Sequence, residues 1–229
     1  MIISYREYGG KLMPWPALFN RKRKAKAAKA IRIGVASAAH NTGVTTFSIA
    51  LTNFLCSKRR RSAAYIELNS TGEIHTLKEF KGEEFRIRER KSPAEGLTCF
   101  CLNDMDLYPE AALTALPQLY AAEYSYYVLD LGVISPRTEA EFLRCDLRFF
   151  LCDFSPWKQE QLSLLLQEMT KDKRLQQTIT LLGNSGSCRR LPRFLKDYSY
   201  HIRNLPYLPN PFLLTSGDFA FFENILKGV

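Results

Sequence analysis

The chain has 229 residues, of which 46% are hydrophobic and 24% are charged, and this composition excludes a disordered protein. The length accommodates one large α/β domain with a substantial core. The net charge is +9, but residues 1–29 hold eight Lys or Arg against the single acid Glu7, so the rest of the chain is nearly neutral and carries no extended basic face.

Residues 1–29 are predicted to be a basic N-terminal tail, and residues 30–229 a single domain. In the tail, Trp15, Leu18 and Phe19 directly precede six basic residues. One interpretation is a solvated linker or a short helix that caps the domain. The alternatives are contact of residues 15–29 with an anionic membrane surface, with nucleic acid or with a protein partner.

The sequence favours a cytoplasmic protein. "MIISYREYGG" has charges where a secretory signal needs apolar residues, and no apolar run reaches the roughly 18 residues of a membrane span. The six cysteines are therefore predicted to be reduced and mostly buried. Cys99 and Cys101 form a CxC without a second pair at zinc spacing, and the three histidines are scattered.

From Ile31 onwards, predicted strands alternate with predicted helices. "IRIGVAS" is an apolar strand, and "TTFSIALTNFLCS" has apolar residues at helical spacing. Further strands are predicted at 62–69, 96–103, 124–132, 147–153, in "QTITLLGN" and in "YSYHIRN". Helices are predicted at 109–123 (bent or divided by Pro117), after the N-caps Ser135 and Ser155, and at the C-terminal end. This alternation predicts an α/β fold with a mostly parallel sheet covered by helices on both faces.

In such a sheet, ligands bind at the carboxyl ends of the strands. The first strand leads there into "SAAHNTGVTT", a glycine-containing loop that opens a helix. Aligned with the phosphate-binding pattern GxxxxGK followed by Ser or Thr, Gly43 is the second glycine and Thr45 the Mg²⁺-binding hydroxyl. Ala38 stands at the first glycine position and Val44 at the lysine position. The spacing of a P-loop is present without its cation.

Several segments resemble, in order, the motifs of the MinD/ParA family of P-loop proteins. That family's loop reads roughly KGGxGKT, with an early signature lysine where this chain has Ala39. "AYIELNS" resembles the family's second strand, with Asn69 where an aspartate is typical. "YVLDLG" resembles the Walker B strand, with Asp130 in the metal-side position. "NLPYLP" resembles the late loop that approaches the nucleotide base, at Pro206.

The resemblance runs from about Ile31 to Val229 and implies a P-loop NTPase-like fold with an ATP or ADP site containing Mg²⁺. It implies nucleotide-binding roles for Ala38, Ala39, His40, Asn41, Thr42, Gly43, Val44, Thr45, Thr46 and Pro206. It implies metal-side roles for Thr45 and Asp130. The residues alone leave other interpretations open: Thr45 and Thr46 as first-turn helix residues, Asp130 as a partner of a backbone amide, and His40 as an exposed turn residue.

Absence of both family lysines removes two charge-assisted contacts of roughly 1.5–3 kcal/mol each. We therefore expect weak binding of ATP or ADP with Mg²⁺ and no efficient hydrolysis. The overall character is similar to divergent TadZ/CpaE-like members, which help to place a pilus-secretion apparatus at the cell envelope. Those members usually carry a receiver-like domain, for which a 29-residue tail is too short.

The predicted function is that of a non-catalytic or very weakly active ParA/MinD-like protein. It would position, or act as a scaffold for, a cell-envelope or secretion/pilus apparatus, with a possible homodimer and a peripheral location at the inner face of the membrane. One alternative is a slow ATP-dependent dimerisation switch that receives a basic residue from the partner subunit. The other is a non-specific DNA binder that uses the basic tail.

Overall fold

The computed structural model describes residues 5–8, 11–14, 30–58, 62–79, 87–92, 94–169, 171, 173–184 and 191–227. In the tail, β1 (Tyr5–Tyr8) and β2 (Lys11–Pro14) form an antiparallel hairpin. This hairpin was not expected, because the sequence suggested a linker or a short helix. Several parts of the chain lie outside the described residues. They are the apolar and basic residues 15–29, Cys188, and residues 59–61 of the basic segment "KRRR" at the end of the first helix.

Among the described residues of the domain, nine strands form one sheet in the order β11-β10-β9-β3-β8-β4-β7-β6-β5. Their bounds are β3 (Ile31–Ser37), β4 (Ala63–Glu67), β5 (Arg88–Arg90), β6 (Cys99–Leu102), β7 (Met105–Tyr108), β8 (Tyr126–Val133), β9 (Leu147–Cys152), β10 (Ile179–Asn184) and β11 (His201–Leu205). The seven strands from β11 to β7 are parallel, and β6 and β5 continue the sheet antiparallel. The predicted mostly parallel sheet is confirmed.

Helices cover both faces of this sheet. They are α1 (Val44–Ser57), α2 (Glu73–Glu79), α3 (Leu116–Ala121), α4 (Pro136–Arg144), α5 (Gln159–Met169), α6 (Lys173–Gln176) and α7 (Ser216–Ile225). Phe47 and Phe54 of α1 pack with Phe222 of α7 on one face, while Phe142 of α4 packs on the other. Within the described residues, no helix combines the length and apolar character needed to cross a membrane.

Strand β8 shows why this sheet is buried on both sides. All six residues from Tyr126 to Leu131 are buried. Val128 contacts the cluster that contains Phe47, whereas the next residue, Leu129, contacts the cluster around Phe142 on the opposite face. Successive side chains of a strand point to opposite faces, so a buried run that is apolar except for Asp130 fits a strand covered by helices on both sides.

The predicted strand 96–103 is half of a hairpin that the alternating pattern did not reveal. Leu102 of β6 pairs with Met105 of β7, and the two residues between them, Asn103 and Asp104, have φ of 49° and 63°. Positive φ at both central residues is typical of a two-residue type I′ turn, in which Asn and Asp are favoured. Strands β5 and β7 were not predicted, because three or four residues are too few for a periodic pattern.

The predicted helix starts differ in outcome. Ser135 caps α4 by accepting from Thr138 N, as expected. At Ser155 the predicted start is confirmed, since Ser155 is the N-cap residue and Pro156 begins a 3₁₀ turn, but the predicted hydroxyl cap is wrong: the buried Ser155 hydroxyl has no hydrogen-bond partner among the described residues. The helix predicted at 109–123 is also shorter than expected. It begins with a 3₁₀ turn at Leu113–Ala115, and α3 follows with a proline in its first turn.

Candidate functional site

The loop between β3 and α1 is shaped by its own hydroxyl groups. Ser37 Oγ donates to Ala39 O over 2.8 Å, and Thr42 Oγ1 donates to the same carbonyl over 3.2 Å. Asn41 has φ of 60° and Gly43 has φ of 89°, both in the left-handed region. Since glycine adopts that region at little cost, Gly43 permits the bend that leads directly into the helix.

The amino-terminal end of α1 presents free backbone amides to this loop. The first bond of the helix runs from Phe47 N to Gly43 O at 2.9 Å, so the amides of residues 43–46 have no intrahelical partner. No side chain caps the helix at Gly43, whereas Ser135 and Thr215 form capping boxes at the starts of α4 and α7. Free amides and the positive end of a helix dipole favour an anion here.

Residues 43–46, which carry these amides, line a cavity of about 330 Å³ at the carboxyl edge of the sheet. One wall consists of Ser37 and all eight residues from Ala39 to Thr46, and the facing residues are Asn69, Thr71, Glu73, Gly132 and Val133. The structure thus brings together the predicted loop residues except Ala38. Ala38 lies behind the loop, where its carbonyl accepts from Gln161 Nε2 at 3.3 Å and it lines a separate 10 Å³ crevice.

The cavity lies at the start of a helix, as phosphate sites commonly do, but it lacks the usual positively charged side chains. Ala39 and Val44, which occupy the two lysine positions, are only 9% and 7% exposed. Among the described residues that line it, none is a lysine or arginine, and one, Glu73, is acidic. His40 is exposed on the loop. An incoming phosphate would therefore meet amides and hydroxyls rather than cationic side chains.

Asp130 lies beneath the cavity and is fully buried. Its Oδ2 accepts from the Tyr65 hydroxyl at 2.8 Å, and its Oδ1 accepts from Gly132 N at 3.1 Å. Burial raises the pKa of Asp130 to about 6, although hydrogen bonds from Thr45, Tyr65 and Asn69 oppose the rise. The contact with Gly132 N is the backbone-amide role that the sequence left open for this residue.

Asn69 and Thr45 connect Asp130 to the cavity. Asn69 Nδ2 donates to Thr45 Oγ1 over 3.3 Å, and both side chains lower the pKa of Asp130 against the effect of burial. Asn69 can approach so closely because residue 132 is glycine: a Cβ there would lie 2.6 Å from Asn69 Cβ. Gly132 has φ of 59° and lies where the register between β3 and β8 shifts. The bulge and the glycine together place Asn69 beside the loop.

A second cavity of about 310 Å³ adjoins the other side of the loop. It is more apolar than the first and is lined by Phe47, Leu205, Pro206, Tyr207 and Leu208, together with four loop residues. Pro206 is therefore next to the loop, as predicted. The segment that follows is held against α1 by Asn53, whose Nδ2 donates to Pro211 O and Phe212 O over 3.1 and 3.0 Å.

Sequence reasoning missed several residues that shape this site, namely Asn53, Tyr65, Glu67 and Glu73. Glu67 is fully buried, and its carboxylate accepts from Glu73 N at 3.0 Å, from Glu110 N at 3.1 Å and from Thr71 Oγ1 at 3.2 Å. The sequence signal that could have identified Glu67 is an acid at the end of an otherwise apolar strand, which is the same signal that pointed to Asp130. Tyr65 gave no such signal, since a strand tyrosine is ordinary.

No protein-family model matches this sequence, and no curated protein is significantly similar to it. Solved structures do match the fold. A Borrelia burgdorferi plasmid partition protein bound to AMPPNP is 17% identical over 87% of this chain and 97% of its own, with a TM-score of 0.55.

A ParA family ATPase from Chlorobium tepidum is 13% identical over 87% of this chain and 92% of its own, with a TM-score of 0.52. A chain of the Aquifex aeolicus MinC:MinD cell division complex is 16% identical over 79% and 83%, with a TM-score of 0.53. At these identities the similarity is one of architecture. The expected resemblance is confirmed at that level: this chain has the fold of the ParA/MinD ATPases.

Proposed function

We propose that this protein is a ParA/MinD-like positioning protein that binds a nucleoside di- or triphosphate weakly and turns it over very slowly or not at all. The observation that carries the proposal is the uncapped start of α1, which presents free amides to a 330 Å³ cavity without a basic lining residue. The cradle for an anion is retained, while the cations that drive phosphoryl transfer are absent.

The amides of residues 43–46 and the Thr45 hydroxyl would hold the phosphate groups. Mg²⁺ prefers oxygen ligands and is commonly bound through substrate phosphates with one or two protein groups. Thr45 faces the cavity and fits that role, and Asp130 lies behind it at hydrogen-bonding distance. Within the described residues, no three Asp, Glu, His or Cys side chains cluster to hold a metal by themselves. The ion would therefore arrive with the nucleotide and neutralise part of its charge.

Weak turnover follows from the charge of the site. Phosphoryl transfer depends on neutralising the phosphate oxygens in the transition state, and each missing charge-assisted contact costs roughly 1.5–3 kcal/mol. The acidic residue Glu73, which lines the cavity, would add negative charge near the phosphate groups. Asp130 is fully buried, and its oxygens accept from Tyr65 and from Gly132 N, so it would act on the ion from behind Thr45 rather than from the cavity wall.

The apolar cavity beside Pro206 supports a nucleotide rather than a simple phosphate as the ligand. It shares Asn41, Thr42, Gly43 and Thr46 with the phosphate cavity, so one molecule could occupy both. Tyr207 is 83% exposed at its mouth and offers an aromatic face to a base. The AMPPNP-bound partition protein of the same fold is consistent with this ligand class.

The proposed role is the positioning of a partner machine at the cell envelope. It rests on the fold shared with partition and division proteins, one of them crystallised as a MinC:MinD complex. A homodimer would bring two phosphate cavities together. The basic residues 15–29 would then provide contact with the anionic inner face of the membrane, and the alternative role for them is non-specific DNA binding.

Calorimetric titration with ATP and ADP in Mg²⁺, combined with a turnover assay, tests the core of the proposal. We expect weak binding and negligible hydrolysis by the unmodified chain. Val44→Lys should tighten binding of the triphosphate by about tenfold or more, because it returns one charge-assisted contact. Turnover of about one per minute or faster by the unmodified chain would contradict the proposal. The proposal would also be contradicted if neither the unmodified chain nor Val44→Lys bound any nucleotide.

The role of the tail is tested separately with the chain lacking residues 1–29. Co-sedimentation with vesicles containing anionic lipid should decline on deletion and with rising salt. Salt-dependent binding to non-specific duplex DNA that disappears on deletion, with no vesicle binding, would favour the DNA-binding alternative.

A further inference from the structure

A third cavity of about 370 Å³ lies directly beside the phosphate cavity. The two share His40, Asn69 and Val133 as lining residues, so the phosphate loop forms part of the wall of both. The third cavity also contains Arg137, from the first turn of α4. The basic side chain that the phosphate cavity lacks is thus present in the cavity next to it.

Arg137 is exposed, and it is not engaged in the hydrogen bonds or ion pairs found among the described residues. The neighbouring polar side chains are already satisfied, since Ser135 and Thr138 bond to each other and to the backbone in the capping box of α4. Glu110, the acid in this cavity, lies 3.5 Å from His75 Nε2. A guanidinium with no acidic partner presents donor groups suited to phosphate oxygens.

We propose that the polyphosphate chain of the ligand extends from the amide cradle past His40 into this third cavity, where Arg137 binds its terminal phosphate. Arg137 then supplies in cis a contact of the kind that lysines at positions 39 and 44 would have made. The inference rests on the proposed function and adds to it a second anion subsite. It also makes the site selective for ligands with several phosphate groups.

A competing source of charge is Lys158, in the 3₁₀ turn before α5. It lines the 10 Å³ crevice beside the loop, together with Ala38, Ala39 and Thr42. Ala39 and Thr42 line both that crevice and the 330 Å³ cavity, and the acid Asp153 lines the crevice together with Lys158. Lys158 itself is not among the residues that line the cavity in which the phosphate groups would bind.

The test is titration of the full chain with tripolyphosphate, pyrophosphate and inorganic phosphate, and with ATP to include the base, all in Mg²⁺. Arg137→Ala should weaken tripolyphosphate and ATP binding by about ten- to hundredfold, with a much smaller effect on inorganic phosphate. Arg137→Lys should recover part of the loss, because it retains the charge without the planar fork. Arg144→Ala, at the exposed far end of the same helix, is the matched control and should bind like the unmodified chain.

The outcomes separate this inference from the proposed function. If the unmodified chain binds ATP and Arg137→Ala binds it equally well, the third-cavity subsite is wrong and the proposed function stands. The same conclusion follows if Lys158→Ala, rather than Arg137→Ala, abolishes binding. If the unmodified chain binds none of the four ligands, both proposals are wrong. Unchanged thermal unfolding of Arg137→Ala would establish that a loss of binding is not a loss of folding.

Discussion

The Tyr65 hydroxyl donates a hydrogen bond to Asp130 Oδ2 over 2.8 Å and so joins β4 to β8 beneath the loop between β3 and α1. Both side chains are fully buried. A buried carboxylate needs hydrogen-bond donors to offset the water that it has lost. Tyr65 is thus one of the donors that offset the free-energy cost of burying the Asp130 carboxylate.

Removal of this donor should destabilise the fold. Tyr65→Phe leaves the Asp130 carboxylate one partner short, and we expect the free energy of unfolding to decrease by about 1–3 kcal/mol. Urea denaturation measures the change. Tyr207→Phe is the control, because Tyr207 is exposed and its hydroxyl should contribute less than about 0.5 kcal/mol. Equal effects of the two substitutions would show that Asp130 does not depend on Tyr65.

The raised pKa of Asp130 predicts a specific dependence of stability on pH. The folded state binds this proton up to about pH 6, whereas an unfolded aspartate releases it near its ordinary pKa of 3.8. Between these values the folded chain holds more protons, so the contribution of Asp130 stabilises the fold at the acidic end and is lost as the pH rises through 6.

Asp130→Asn removes that titration. Between about pH 4 and 6, the stability of the unmodified chain should fall relative to that of the variant, by roughly 2–3 kcal/mol in total. Chemical denaturation at a series of pH values gives the difference. A constant difference between the two proteins across this range would mean that the pKa of Asp130 is unshifted.

Gly132 should tolerate no side chain. In Gly132→Ala the new Cβ would lie 2.6 Å from Asn69 Cβ, at a backbone φ of 59° that alanine adopts only with strain. We expect a loss of about 2 kcal/mol or more in stability and a displaced Asn69. Gly217→Ala in α7 is the matched control, since its Cβ would meet only Thr215 Oγ1 at 3.7 Å. That substitution should be neutral or stabilising by up to about 1 kcal/mol, because alanine favours the helix.

Asn53 should hold the segment that follows Pro206 in place against α1. Asn53→Ala removes both bonds to Pro211 O and Phe212 O, and we expect about 1–3 kcal/mol of destabilisation. Limited proteolysis should show faster cleavage within residues 205–214. Ser57→Ala is the control, because Ser57 Oγ donates to Asn53 Oδ1 and its loss leaves both hydrogen bonds of Asn53 Nδ2 in place. Cleavage within residues 205–214 should therefore stay slow in this variant. Equal cleavage rates in the two variants would exclude Asn53 as the anchor.

The sequence predicted best what depends on local pattern. The apolar run "YVLDL" and the helical spacing after Gly43 predicted β8 and α1, because burial on a strand or on a helix face imposes a period on the chain. The Ser135 cap could be predicted for a similar reason, because its partner Thr138 is only three residues away in the sequence. Ser155 shows the limit of such reasoning: its sequence context is similar, yet its buried hydroxyl has no hydrogen-bond partner in the part of the chain that the structure describes.

By itself, then, the sequence determined the α/β alternation, the position of the glycine-containing loop before α1 and the absence of lysine from it. Only the tertiary structure decided that β8 lies between β3 and β4, and hence that Asp130 meets Tyr65 from a strand 65 residues away. It likewise decided that Arg137 lies in a cavity adjoining the one that lacks a cation. The physical reason is that periodicity records which side of an element is buried, whereas the partner across a parallel sheet depends on strand order, which no local pattern encodes.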